Sequence, residues 1–127
     1  MFEKLEIVRM AQAMATHAGA RQGAIATNIA NADTPGYKAQ DMPDFAESFA
    51  KGADTALRMT RAGHIGAQGG NPQLIARTTG GAAAPNGNTV SLESEMVKAV
   101  EVRQQHDMAL AIYRSTSSIL RTSLGRK

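Results

Sequence analysis

Two stretches of this chain of 127 residues carry apolar residues at helical spacing, one at each end. In the first, Phe2 to Ala32, the residues Ile7, Ala11, Met14, Ala18 and Ile25 recur at intervals of three, four and seven. Leu5, Val8, Ala15, Ala26 and Ile29 form a second row beside them. Together they make the broad apolar face of a helix about 45 Å long at roughly 1.5 Å per residue. The second stretch starts near Val90 and runs to about Leu124 without glycine or proline. There Leu92, Met96, Ala99, Leu110, Tyr113, Leu120 and Leu124 lie on an a/d-like seam, interrupted at the same spacing by Arg103, His106 and Ser117. Seams at both ends predict that the terminal helices pack side by side as a coiled-coil-like pair.

The stops are as informative as the faces. Asn31 and Asp33 suit a helix end, because their side chains compete for nearby backbone groups. Pro35 disfavours the helical region for Thr34, and Pro35-Gly36 is strong turn punctuation. The string Asn28 to Ala39 is therefore a helix stop followed at once by a tight turn and a tyrosine. At the other end, Ser91 is a candidate N-cap with Glu93 and Glu95 in the first turn, and Gly125 is a candidate terminator. Glu95 and Lys98, like Arg103 and Asp107, have the spacing of helix-surface pairs.

Between the long helices the pattern is irregular. Asp41 to Lys51 reads as a short helix, with Pro43 in its first turn, Phe45 and Phe49 stacked four apart, and Gly52 at its end. From 52 to 89 the chain is glycine-rich. Leu57 to Arg61 and Gln73 to Thr78 could pair as a weak hairpin, but a mobile loop is the preferred reading. The expected fold is thus mostly α and one domain over 1–127: an N-terminal helix (1–33), the turn and irregular middle (34–89), and a C-terminal helix (90–125).

Composition sharpens this picture. Hydrophobic content is 43%, yet only 4% of residues are aromatic, and the first helix is filled with alanine and glycine. Small side chains bury little area, so a private core looks marginal and partners are expected. Gly19 and Gly23 each cost that helix roughly 1 kcal/mol relative to alanine. The net charge of +3 is spread along the chain and argues for no particular anionic partner. With no cysteine, disulfides and thiolate metal sites are excluded. No apolar run approaches a membrane span, and the charged first ten residues do not read as a secretory signal.

No catalytic constellation emerges, and no cofactor, metal or small-molecule substrate is expected. His17, His64 and His106 are far apart and lack metal-ligand spacing. The pairs Asp41/Asp44 and Glu93/Glu95 are explained more simply by helix-start electrostatics than by acid–base work. Gly66-Ala67-Gln68-Gly69-Gly70 lacks the lysine and setting of a phosphate loop. Neither long helix shows the basic face with interleaved aromatics that nucleic acid would require. Gln12, Gln22 and Arg103 lie near the seams as solvated side chains or as register-setting contacts in an assembly.

The string Asn28-Ile29-Ala30-Asn31-Ala32-Asp33-Thr34-Pro35-Gly36-Tyr37-Lys38-Ala39 resembles the signature that closes the first helix in axial proteins of the bacterial flagellum. Gln40 to Phe45, Gly87 to Met96 and Ile119 to Leu124 resemble the FlgB-type proximal rod proteins more closely. The resemblance departs at His106, where that family usually carries tyrosine, and the middle loop cannot be aligned. It implies a non-enzymatic structural subunit of the flagellar basal body. Such a subunit is exported unfolded through the flagellum's own type III apparatus, with partners among other rod proteins, the FliE adaptor, the export gate and copies of itself. On this reading Asn28, Asn31, Asp33, Thr34, Pro35, Gly36 and Tyr37 shape the turn and touch neighbouring subunits. Leu92, Met96, Leu110, Tyr113, Leu120 and Leu124 hold the second helix in the bundle. The alternatives are another rod or hook-like axial protein and, in a different class, a small basic helical nucleic-acid-binding protein.

Overall fold

A computed structural model describes residues 2–54 and 76–125. Its elements are α1 (Phe2–Ala30), β1 (Gln40–Asp41), α2 (Phe45–Asp54), β2 (Arg77–Thr78) and α3 (Leu92–Ser123). The long helices run antiparallel. Lys4 Nζ, at the start of α1, reaches Ser123 Oγ at the end of α3 at 3.4 Å. At the opposite end, the Asn88 amide bonds the Asn31 and Ala32 carbonyls just past the end of α1. No helix among the described residues is long and apolar enough to cross a membrane.

The packed seam repeats every seven residues on both helices. On α1 it is Ala11, Ala18 and Ile25, and on α3 it is Glu95, Val102, Ala109 and Thr116. Ala18, Ile25 and Val102 form the core cluster, with Ala99 against it. A strict heptad is the geometry of coiled-coil pairing. Alanines in the seam let the backbones approach but bury little apolar area.

The face that α3 turns toward α1 differs from the expected seam. Leu92, Met96, Tyr113 and Leu124 are exposed, Met96 and Leu124 at 67% each, while Leu110 and Leu120 are half-buried. The buried row lies one residue to the side of Met96 and Leu110. The row that faces α1 instead carries Glu95, which lies inside beside Lys98. The expected Glu95–Lys98 surface pair is accordingly an internal one, with the Glu95 side chain only 2% exposed.

The middle also departs from expectation in detail. Asp41 belongs to β1 rather than to a helix, and α2 begins after Pro43, with the Asp44 carbonyl accepting from Ser48 N at 3.0 Å. The helix passes through Gly52 to Asp54 instead of stopping there. Thr78 pairs with Gln40 and Arg77 with Asp41, antiparallel. The 77–78 strand thus pairs with the segment after the signature turn; Leu57 to Arg61, its expected partner, lies outside the described residues. Gln40 N and O are taken up by Asn28, as set out below, and Ala39 O accepts from Thr79 N at 2.8 Å.

α2 is tethered to α1 through His17. This residue is buried, its Nε2 donates to the Pro43 carbonyl at 2.6 Å, and its ring meets Phe45 edge-on at 5.7 Å. Phe45 in turn stacks on Phe49 at 5.5 Å. At the chain's other end Gly125 takes φ 71°, the left-handed conformation that closes a helix.

Candidate functional site

The two sequence motifs form a single structural joint. As α1 ends, Asn31 N bonds both the Thr27 and Asn28 carbonyls at 3.1 Å, and Asn31 Nδ2 donates to Thr27 O at 2.8 Å. Thr34 Oγ1 donates to Asn31 Oδ1 at 3.2 Å. Residues 34–37 then make a tight turn closed by Tyr37 N to Thr34 O at 3.3 Å. Pro35 in its second position and Gly36 at φ 74° in its third are the residues a type II turn demands.

Asn28 reads this turn from beneath. It is fully buried. Its Oδ1 accepts from Gln40 N at 2.9 Å and from the Tyr37 hydroxyl at 3.3 Å, while its Nδ2 donates to Gln40 O at 2.7 Å. One side chain therefore mimics a strand neighbour for Gln40 and anchors the tyrosine. A buried amide with all of this satisfied is stabilising, whereas the same group without partners would be costly.

The approach to α3 docks onto this turn. Asn88 is buried, and its Nδ2 lies 2.9 Å from each of the Asn31, Ala32 and Thr34 carbonyls. Asn31 O and Thr34 O already accept from Thr34 N and Tyr37 N, so Asn88 adds a second donor to carbonyls where the helix ends and the turn begins. Asn88 Oδ1 accepts from Val90 N at 2.7 Å. Gly36 N donates to Asn86 O, Thr89 N to Tyr37 O, and Ala39 N to Thr89 Oγ1. Ser91, expected to cap α3 with its hydroxyl, makes no side-chain cap bond; its carbonyl accepts from Glu95 N at 2.9 Å.

A charged cluster lies next to the joint. Arg21 of α1 grips Asp41 of β1 with two nitrogens, at 3.0 and 3.3 Å. Lys98 of α3 stands 3.8 Å from Asp41 Oδ2, the oxygen that Arg21 Nη2 also reaches, and 3.3 Å from Glu95 Oε1. Arg21 also approaches Glu101 at 3.7 Å. Glu95 Oε2 is buried with no hydrogen-bond partner among the described residues. Asp41, 13% exposed, thereby ties both helices to the strand.

Outside the joint the helices present uncovered surface. From Gln12 to Asn31 the only charged residue is Arg21, which turns inward, so the outer face of α1 there is uncharged and small. On α3, Met96, Val97, Val100 and Met108 are all more than half exposed. Among the described residues no group of His, Cys, Asp and Glu is arranged to hold a metal.

Of the residues expected to shape the turn, the structure brings Asn28, Asn31, Thr34, Gly36 and Tyr37 into one hydrogen-bond network, while Asp33 and Pro35 lie exposed at its rim. Of the expected packing residues, Leu92, Met96, Tyr113 and Leu124 stand outward and only Leu110 and Leu120 are part-covered. Sequence reasoning passed over Asn88 and Thr89 as agents, although it singled out the string containing them. Arg21 was also missed, and Asp41, read as serving a helix start, is instead an ion-pair partner in β1. Arg21 is the one charged residue from Gln12 to Asn31, and that isolation was the available signal.

The sequence profile of the flagella basal body rod proteins matches residues 11–38, the second half of α1 and the signature turn. The flagellar basal body rod protein FlgB of Escherichia coli strain K12 is 37% identical over 122 residues, covering 87% of this chain and 88% of that one. The FlgB protein of Salmonella typhimurium is 33% identical over 102 residues, covering 72% and 73%. That of Agrobacterium fabrum is 28% identical over 118 residues, covering 89% and 88%.

Proposed function

This chain belongs to the FlgB family of flagellar basal body rod proteins, and from that premise we propose that it builds the rod by laying its paired terminal helices against those of neighbouring subunits. It is a structural subunit of the basal-body rod. The nucleic-acid-binding alternative has no support among these relatives.

The observation that carries the proposal is the mismatch between the two sides of the helix pair. The internal seam is built largely of alanine, while large apolar side chains stand in solvent: Leu5, Met10 and Ile29 on α1, and Leu92, Met96, Val97, Val100, Met108 and Ile119 on α3. A lone soluble chain gains nothing from such a surface, and extended exposed apolar patches mark interaction sites. In a shaft of packed helices the same side chains become core. The signature turn, Asn28 to Tyr37, then serves as a rigid corner that meets neighbouring subunits, and Leu92, Met96, Leu110, Tyr113, Leu120 and Leu124 hold α3 in the bundle.

The whole of 1–127 acts as one subunit on this reading. Its partners are other rod proteins and copies of itself, with the FliE adaptor and the export gate at the base of the rod. A thin private core also suits export in an unfolded state followed by ordering on assembly, in which the interface supplies what the single chain lacks.

Met96→Asp tests the proposal, because Met96 is 67% exposed and its loss leaves the internal seam untouched. The variant should match the parent in circular dichroism as a free chain. In cells lacking the native copy it should leave basal bodies without a completed rod. Complete rods and normal swimming in that strain would refute the assembly role assigned to this face.

A further inference from the structure

Helix α3 carries two neighbouring rows that could face α1, and the chain buries the one with less apolar surface. The buried row is Glu95, Val102, Ala109 and Thr116. The next row, about 100° around the helix, holds Met96, Arg103, Leu110 and Ser117 and remains outward or half-covered. Apolar burial alone favours rotating α3 to bring Met96 and Leu110 inward. The seam opposite them, Ala11 and Ala18, is too uniform to oppose that rotation.

Arg103 opposes that rotation from the second row, and a further opposing element must act on the buried row and must be directional. The charged cluster meets both conditions. Glu95 and Lys98 sit on the inward side of α3, and Lys98 reaches Asp41, which Arg21 fixes with two bonds from α1. Turning α3 by one residue would carry Glu95 and Lys98 away from Asp41 and leave part-buried charges unpaired. Such groups add little net stability, but losing a partner is expensive, so they serve best to specify one arrangement over another.

We propose that Arg21, Asp41, Glu95 and Lys98 set the rotation of α3 against α1, and so decide which face of α3 is presented outward. The role belongs to the single chain and does not depend on what covers the outward face.

The absence of native cysteines allows a direct test by disulfide trapping in the full-length chain. One double variant carries Ala18→Cys with Val102→Cys, two members of the buried core cluster. The other carries Ala18→Cys with Arg103→Cys, which reports the rotated helix. With the cluster intact, the 18–102 bridge should dominate. With Arg21→Gln, Asp41→Asn, Glu95→Gln and Lys98→Gln together, the ratio of 18–103 to 18–102 product should rise about tenfold or more, as loss of a part-buried charge pair implies. Asp41→Asn alone should shift the ratio in the same direction by less, and it decides the matter if the quadruple variant yields no bridge. An unchanged ratio in Asp41→Asn, or an intact chain that fails to form the 18–102 bridge, would overturn the proposal.

Discussion

Gly36 and Gly87 meet backbone to backbone across the joint, at φ 74° and 84°, and a Cβ built on Gly87 would stand 3.4 Å from the Gly36 Cα. Both need the left-handed conformation, which costs an L-residue roughly 1–2 kcal/mol. Gly87→Ala adds a tight contact to that cost. We expect Gly87→Ala to destabilise the free chain by about 1–3 kcal/mol and Gly36→Ala, with open space around its Cβ, by less. Urea unfolding followed by circular dichroism measures both.

Gly19 and Gly23 should behave in the opposite way. Neither has any neighbouring atom within 4 Å of a built Cβ, and both are inside α1. Gly19→Ala and Gly23→Ala should each raise stability by roughly 1 kcal/mol through helix propensity. If their face of α1 is where a neighbouring subunit packs, the same changes should reduce swimming on soft agar while raising the melting temperature of the purified chain.

At Asn88 the sign of the side chain's polarity is testable. Its amide protons are shared among three carbonyl oxygens. Asn88→Ala removes them and should cost about 1–3 kcal/mol. Asn88→Asp keeps the shape and the bond from Val90 N, but turns an acceptor with negative charge toward the three carbonyls. It should therefore be the more damaging of the two, which equilibrium unfolding at neutral pH will show directly.

His17 links α2 to the helix pair. His17→Phe preserves a ring against Phe45 and loses only the bond to Pro43 O. Hydrogen exchange should become faster in the amides of α2 and stay unchanged in α3. His17→Ala loses both contacts and should release α2 further.

The isolated chain should show weak helicity and melt early, because its buried apolar set is small and mostly alanine. Leu110→Asp, and deletion of 121–127, should abolish motility without abolishing synthesis of the protein. Swimming cells and immunoblots distinguish these outcomes.

Much of this architecture was legible beforehand. The long helices announced themselves because nothing inside them stops a helix, and Pro35-Gly36 fixed the turn between them. What periodicity could not reveal was which of two adjacent rows on α3 faces inward. The larger apolar side chains lie in the row of Met96 and Leu110, whereas the row observed inside keeps Lys98 beside Asp41, a residue far away in sequence. The strand partner of Arg77–Thr78 was equally hidden, since two residues have no period to read. Asn88 escaped for a related reason. A lone asparagine before a helix looks like loop filler until the carbonyls it serves are brought to it by the fold.

The bonds between the two helices are unevenly spread. At one end Asn88, Thr89 and Asn86 bind the turn through several backbone and amide bonds, while at the other the described residues offer Lys4 to Ser123 at 3.4 Å. A hairpin clasped at its hinge and barely fastened at its tips opens like tongs, from the tips inward. Fraying is therefore expected to begin at the tips, with amide exchange faster near Lys4 and Ser123 than near Asn28 and Val90.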